Sequence, residues 1–199
     1  VHPNPAFRAA DHAAALAHVA EAAFAHLFIA SGERLLVAHV PLLVGQGALW
    51  FHLANANAMT PLLPGHRALA SVGGPGSYIS PNWYENPPNM VPTWNYRATE
   101  IEGTVSVLDR AGLEALLVRA STSFEPRVGE DWSMDKMERP RAEAMMAAIT
   151  GFTMTIETVR HTDKASQNRS DADAMRLVTA FEARGDVEGA AQIRRARGW

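Results

Sequence analysis

The chain has 199 residues, 47% of them hydrophobic and 20% charged, with a formal net charge of -3 and no cysteine. That composition supplies the core of one globular domain and excludes disulfides, thiolate metal sites and thiol nucleophiles. A mildly acidic chain also argues against a broad nucleic-acid surface, whose non-specific affinity comes from cations displacing counterions.

No apolar run approaches the roughly 20 residues that span a bilayer, and the first residues lack the basic start and apolar stretch of a signal peptide. The expectation is a soluble, cytoplasmic protein with no membrane partner.

Asp11 precedes a helical pattern from His12 to Phe24, where its carboxylate is placed to cap the first free amides, and Leu16, Val19, Ala20 and Phe24 form the apolar stripe. Short β-rich runs follow, at Leu27 to Ala30, Leu35 to Val44 and Ala48 to Ala54, separated by Ser31-Gly32-Glu33 and Gly45-Gln46-Gly47. This spacing predicts an antiparallel meander. A fourth strand is expected over Ala68 to Val72, ending at Gly73-Gly74-Pro75-Gly76, and a fifth over Thr93 to Leu108, with Gly103 as a bend or bulge.

Asp109 opens a helix carrying Leu113, Leu116, Leu117 and Val118, and Pro140 opens another. Phe152 to Val159 alternates Phe152, Met154 and Ile156 against Thr153, Thr155 and Glu157, which reads as a sixth strand. Helical text resumes after Ser170, breaks at Gly185-Asp186 and ends near Trp199. The expected fold is α+β and mainly β: one domain over 1–199, with six antiparallel strands, peripheral helices and a helical extension over about 170–199.

The densest chemistry lies between Gly74 and Tyr96, where two Trp and three Tyr fall among prolines and small hydroxyl residues within 23 positions. Pro and Gly fix such a loop, and the aromatic rings offer flat faces with polar tips, a wall suited to a planar ligand. Packing alone is the competing reading of the same residues.

Ala38-His39-Val40-Pro41, His52-Leu53-Ala54-Asn55-Ala56-Asn57, Tyr78-Ile79-Ser80-Pro81-Asn82-Trp83-Tyr84, Val91-Pro92-Thr93-Trp94-Asn95-Tyr96 and Lys164-Ala165-Ser166-Gln167-Asn168-Arg169 together resemble the PaiB family of FMN-binding negative transcriptional regulators. In order and spacing the likeness runs from about Phe7 to Asp171. It implies a split β-barrel similar to the pyridoxamine phosphate oxidase group, FMN as cofactor, and a homodimer whose interface holds the flavin.

Carried onto this chain, the resemblance implies cofactor contacts from His39, His52, Asn55, Asn57, Tyr78, Ser80, Trp83, Tyr84, Thr93, Trp94, Asn95 and Tyr96, and from Lys164, Ser166, Gln167, Asn168 and Arg169. Lys164 and Arg169 are the phosphate candidates; a solvated loop before the helix near Ser170 is the alternative. The chain departs from the family where Phe51 replaces a Gly, Asn55 an Arg and Gly76 a His. Loss of the Arg matters because its planar fork matches two phosphate oxygens at once.

His12, His18 and His26 lack metal-site spacing, so no metal is expected, and no phosphate-binding loop, dinucleotide fingerprint or nucleophile elbow is present. Arg194, Arg195 and Arg197 suit the C-terminal end of a helix dipole as readily as DNA. Three functions remain open: a flavin-binding regulator, an FMN-dependent oxidoreductase, and a barrel that has exchanged FMN for another small ligand.

Overall fold

The computed structural model describes residues 2–8 and 12–199, and the helix cap expected at Asp11 lies outside them. Among the described residues there are seven strands: β1 (Phe24–Ser31), β2 (Arg34–Gly45), β3 (Ala48–Ala54), β4 (Arg67–Ile79), β5 (Thr93–Val107), β6 (Ile149–Thr155) and β7 (Thr158–Lys164). The five α-helices are α1 (His12–Ala22), α2 (Arg110–Phe124), α3 (Arg139–Ala147), α4 (Asp171–Glu182) and α5 (Val187–Arg197). None is long and apolar enough to cross a membrane.

The β1–β2 hairpin turns on Gly32 and Glu33, with Gly32 at φ +60, and registers Ser31 against Arg34 and Phe24 against Pro41. β2–β3 turns on Gln46 and Gly47, both at positive φ, as a two-residue hairpin of the I′ kind requires. Hydrogen-bonded neighbours run β4-β1-β2-β3-β6-β5-β7, and β4 also pairs with β5, which closes six strands into the split β-barrel.

Three boundaries differ from expectation. The first helix ends at Ala22 because Ala23 takes φ 52, its amide still bonding Val19 O while its carbonyl accepts from Leu42 N, so Phe24 begins a strand. β4 runs on through Gly73 to Ile79. The last predicted strand divides after Thr155, where Ile156 N bonds Gly47 O and Glu157 N bonds Glu102 O, and β7 follows.

The chain forms two compact units, each assembled from separate stretches. One takes residues up to 15 with 73–99 and 160–199; the other takes 16–72 and 100–159. β4 and β5 each contribute one half to either unit.

In the 16–72/100–159 unit, the inward residues of β1, β2, β3 and β6 form the core, including Leu27, Val40, Leu49, Phe51, Phe152 and Met154. Phe51 and Phe152 are register partners whose rings stack at 5.5 Å, a cross-strand pair worth about 0.5–1.5 kcal/mol beyond its buried area. Gly103 allows a close approach: a Cβ there would stand 1.7 Å from Thr155 O.

The other unit has its own core, in which Ile79 and Tyr84 pack with Leu177, Val178, Phe181 and Ile193 of the α4–α5 pair. Ser170 caps α4 through Asp173 N at 3.1 Å, and Asp186 caps α5 through Gly189 N at 2.8 Å.

Candidate functional site

In the unit that holds α4 and α5, the start of β5 and the loop after β7 come together. Lys164, the last residue of β7, donates to Thr93 Oγ1, and its ammonium stands 5.8 Å from the centre of the Phe7 ring. Burial pushes the Lys164 ammonium below its ordinary range, and the Arg169 cation adds to the shift. Among the described residues neither Lys164 nor Arg169 has a carboxylate at ion-pair distance. Two cations close enough to repel, with no internal counterion, make this loop receptive to an anion.

Arg169 lies over the Tyr84 ring at 4.9 Å and donates to Met90 Sδ at 3.3 Å. Tyr84 itself is buried, which raises its phenol above the usual range against the opposing pull of Arg169. Asn95 is fully buried: its Oδ1 accepts from Ser166 Oγ at 3.1 Å, while its Nδ2 has no partner among the described residues. An unpaired buried donor costs on the order of 1–3 kcal/mol, so this amide stands ready for an acceptor.

The 164–169 loop is held from within. Ser166 sits at φ +60, a strained conformation for a residue with a Cβ. Gln167 Oε1 accepts from Ala165 N at 2.8 Å and its Nε2 donates to Asp163 O, so this side chain shapes the loop. Asn168 is exposed. Arg197, on the last turn of α5, donates through Nη2 to Ser166 O at 3.1 Å and to Arg169 O at 2.7 Å, and its Nη1 pairs with Asp171.

Tyr78 and Trp94 stand edge-to-face at 5.6 Å, and both are exposed. Gly76 opens space beside them, since a Cβ there would meet only Asn95 O and Trp94 Cε3, each at 3.9 Å. Trp83 instead packs on Phe181 at 5.6 Å with Arg184 over its ring at 4.6 Å, and Ser80 caps the short turn at Asn82 N. Tyr96 is half-buried.

The remaining four sequence candidates belong to the other unit. His39 is exposed and edge-to-face with its register partner His26 at 4.8 Å. His52 lies on the wall of an apolar cavity, and burial lowers its imidazole below the usual value. Asn55 Nδ2 donates to Ala147 O at 2.8 Å and its Oδ1 accepts from Thr150 Oγ1 at 2.7 Å, so both ends of the amide tie β3 to its neighbours. Asn57 Oδ1 accepts from Met59 N at 2.9 Å, a local turn bond.

Sequence reasoning missed Phe7, Met90 and Arg197. Arg197 was visible only as one of a basic cluster at a helix end; nothing local marks it as a clamp on a loop 28 residues away.

Residues 1–158 match the family model described as "Putative FMN-binding domain". Over 109 residues the chain is 32% identical to the protease synthase and sporulation protein PAI 2 of Bacillus subtilis (strain 168), a stretch that covers 55% of this chain and 52% of that protein. The match thus spans about half the length of this curated relative.

Among solved structures, a flavocytochrome Anf3 from Azotobacter vinelandii superposes with a TM-score of 0.63 at 13% identity, covering 88% of this chain and 77% of its own. A FAD and heme binding protein from Mycobacterium smegmatis gives 0.62 at 12% identity, covering 84% and 78%. At these identities the likeness is one of fold.

Proposed function

This chain belongs to the FMN-binding family of the PaiB type, and we propose that it binds FMN through the unit that carries the 164–169 loop. The observation that carries this reading is the pair of cations, Lys164 and Arg169, set close together without a carboxylate partner among the described residues. A dianionic phosphate supplies the missing counter-charge, and it offsets the burial and the lesser Arg169 repulsion that together lower the Lys164 ammonium.

The chain's other residues fit the rest of the group. Thr93 orients Lys164, Asn95 holds a free amide donor, and the exposed Tyr78 and Trp94 rings offer planar surface to an isoalloxazine. Asn55 does not enter this proposal as a phosphate ligand, because both ends of its amide are engaged, and Asn57 belongs to the other unit. A bound flavin supplies one- and two-electron redox chemistry that no side chain here provides.

We infer a homodimer formed through the outer face of the β1–β2 hairpin. That face presents Phe24, His26, Phe28, Leu35, Val37 and His39 to solvent with no carboxylate or ammonium among them, and Leu35 is 85% exposed. An apolar sheet face of this kind is what a second copy would cover.

A repressor role lacks a DNA-reading surface in the most arginine-rich element. The stretch 171–199 holds five Arg (Arg176, Arg184, Arg194, Arg195, Arg197) but also five carboxylates (Asp171, Asp173, Glu182, Asp186, Glu188). Arg194 pairs with Glu182 at 2.8 Å and Arg197 is held by the loop. Flavin binding, rather than DNA contact, is therefore the activity proposed for the chain itself.

The test is a titration of the purified protein with FMN and, separately, with riboflavin, which lacks the phosphate. Lys164→Ala and Arg169→Ala each lower FMN affinity by about 10- to 150-fold, the range for one charge-assisted hydrogen bond of roughly 1.5–3 kcal/mol, and leave riboflavin affinity unchanged. Equal affinity for the two flavins, or FMN binding indifferent to both substitutions, defeats the assignment. With binding in hand, NAD(P)H oxidation and a salt-sensitive shift of promoter DNA separate oxidoreductase from regulator.

A further inference from the structure

The second unit contains a cavity of about 320 Å³ whose walls come from β3, α2, α3 and the segment before α3. Its lining is apolar and soft: Met134, Met137, Met145 and Met146 supply four thioethers, and Trp132 supplies a ring. Leu117 and Ala120 face it from α2. Eight methionines occur in the whole chain, so half of them converge on this one space. Methionine side chains adapt to the shape of what they enclose and make favourable sulfur–aromatic contacts, which is why such walls serve ligand binding.

The polar side chains of this lining are Ser121, the Trp132 indole and His52. The Ser121 hydroxyl donates to Leu117 O at 3.1 Å. The side chains of Trp132 and His52 have no hydrogen-bond partner among the described residues, and since an indole N–H only donates, the acceptor of the two is His52. Its register partner on β6 is Gly151, which has no side chain to cover the ring. Trp132 and Met145 stay partly exposed, so the cavity has an entrance.

We propose that this cavity is a binding site for a small neutral aromatic molecule bearing one N–H or O–H donor, with the His52 ring nitrogen as acceptor. The volume lies in the range of small-molecule pockets, and a mostly apolar wall with a few polar groups, here one free acceptor, is the pattern by which such sites fix orientation. Burial keeps the His52 imidazole neutral, the form that can accept a hydrogen bond. The proposal does not rest on the flavin site proposed above, which draws on the other unit's residues; it takes His52, which the family resemblance counts among the cofactor contacts, for a different ligand.

The experiment uses the whole chain with methyl-labelled methionine and two probes of matched shape: indole, which carries an N–H, and indene, which does not. Indole shifts the methyl signals of Met134, Met137, Met145 and Met146 and leaves Met59 and Met154 unmoved. Indole binds about five-fold more tightly than indene, the factor one net hydrogen bond supplies.

His52→Phe removes that preference. Ala120→Phe fills the space with His52 intact and abolishes both sets of shifts, so a folding defect at His52 does not decide the matter. Absence of shifts at millimolar indole, equal affinity for the two probes, or a preference that survives His52→Phe overturns the proposal.

Discussion

Replacing Arg197 with Ala tests whether α5 governs the 164–169 loop. The guanidinium is only 11% exposed, and its Asp171 partner is 81% exposed, so the ion pair itself contributes at most about 1 kcal/mol. The two carbonyl bonds matter more. Ser166 O keeps a second donor in Arg169 N at 3.1 Å, whereas Arg169 O has only Arg197 among the described residues.

One orphaned carbonyl and one weakened bond, both to a charged donor, together cost about 2–3 kcal/mol of local stability. Amide exchange across residues 164–170, followed by mass spectrometry, therefore accelerates about 30- to 150-fold in Arg197→Ala. Arg197→Lys retains a charge but not the planar fork and falls between. FMN affinity drops in the same order, because Lys164 and Arg169 are positioned by the backbone that Arg197 holds. Exchange within three-fold of the parent in Arg197→Ala, with α5 intact by circular dichroism, refutes the reasoning.

Three further outcomes follow from the geometry. Gly103→Ala places a Cβ 1.7 Å from Thr155 O, and the strand shift it forces costs about 3 kcal/mol or more. At about 2–4 °C per kcal/mol for a chain of this size, thermal melting falls by roughly 6–12 °C, whereas Gly73→Ala, with nothing within 4 Å, leaves it nearly unchanged. His52 and His161 are both lowered, chiefly by burial, so the unfolded chain binds more protons and stability falls as pH drops from about 6.5 toward their folded values. Urea midpoints measured down to acidic pH show this slope, and His161→Gln flattens part of it. Val37→Asp, on the outer β1–β2 face, converts the proposed dimer to a monomer by light scattering; a parent that is already monomeric at micromolar concentration removes the dimer reading.

Much of the fold was legible because apolar alternation and turn chemistry agreed. Gly32 and Gln46-Gly47 stood where two-residue hairpins need positive φ, and Asp109, Pro140 and Ser170 marked three helix starts. The failures came where local chemistry was overruled. Ala23 adopts a conformation that alanine gives no hint of, and is held there by Val19 and Leu42. Gly73 through Gly76 read as a stop, yet the ladder carries the strand through them. The break after Thr155 has no Gly or Pro; backbone bonds to Gly47 and Glu102 set it.

The site was legible in part. Lys164 meets Thr93, Ser166 meets Asn95, and Arg169 meets Tyr84. The sequence could not distinguish an Asn that binds a ligand from one that ties strands together, as Asn55 does, because the amide has the same donors and acceptors in either role.

The interleaving of the two units bears on how the protein is made. Residues 16–72 and 100–159 are all available once position 159 has left the ribosome, so that unit can consolidate while synthesis continues. Its counterpart cannot: the strand halves at 73–99 wait for β7, the 164–169 loop and α5 to emerge. During that interval the exposed halves of β4 and β5 lack their covering, and a nascent chain stalled there presents aromatic strand edges to its neighbours. The order of synthesis thus lets the 164–169 loop acquire its shape only after α5 has emerged.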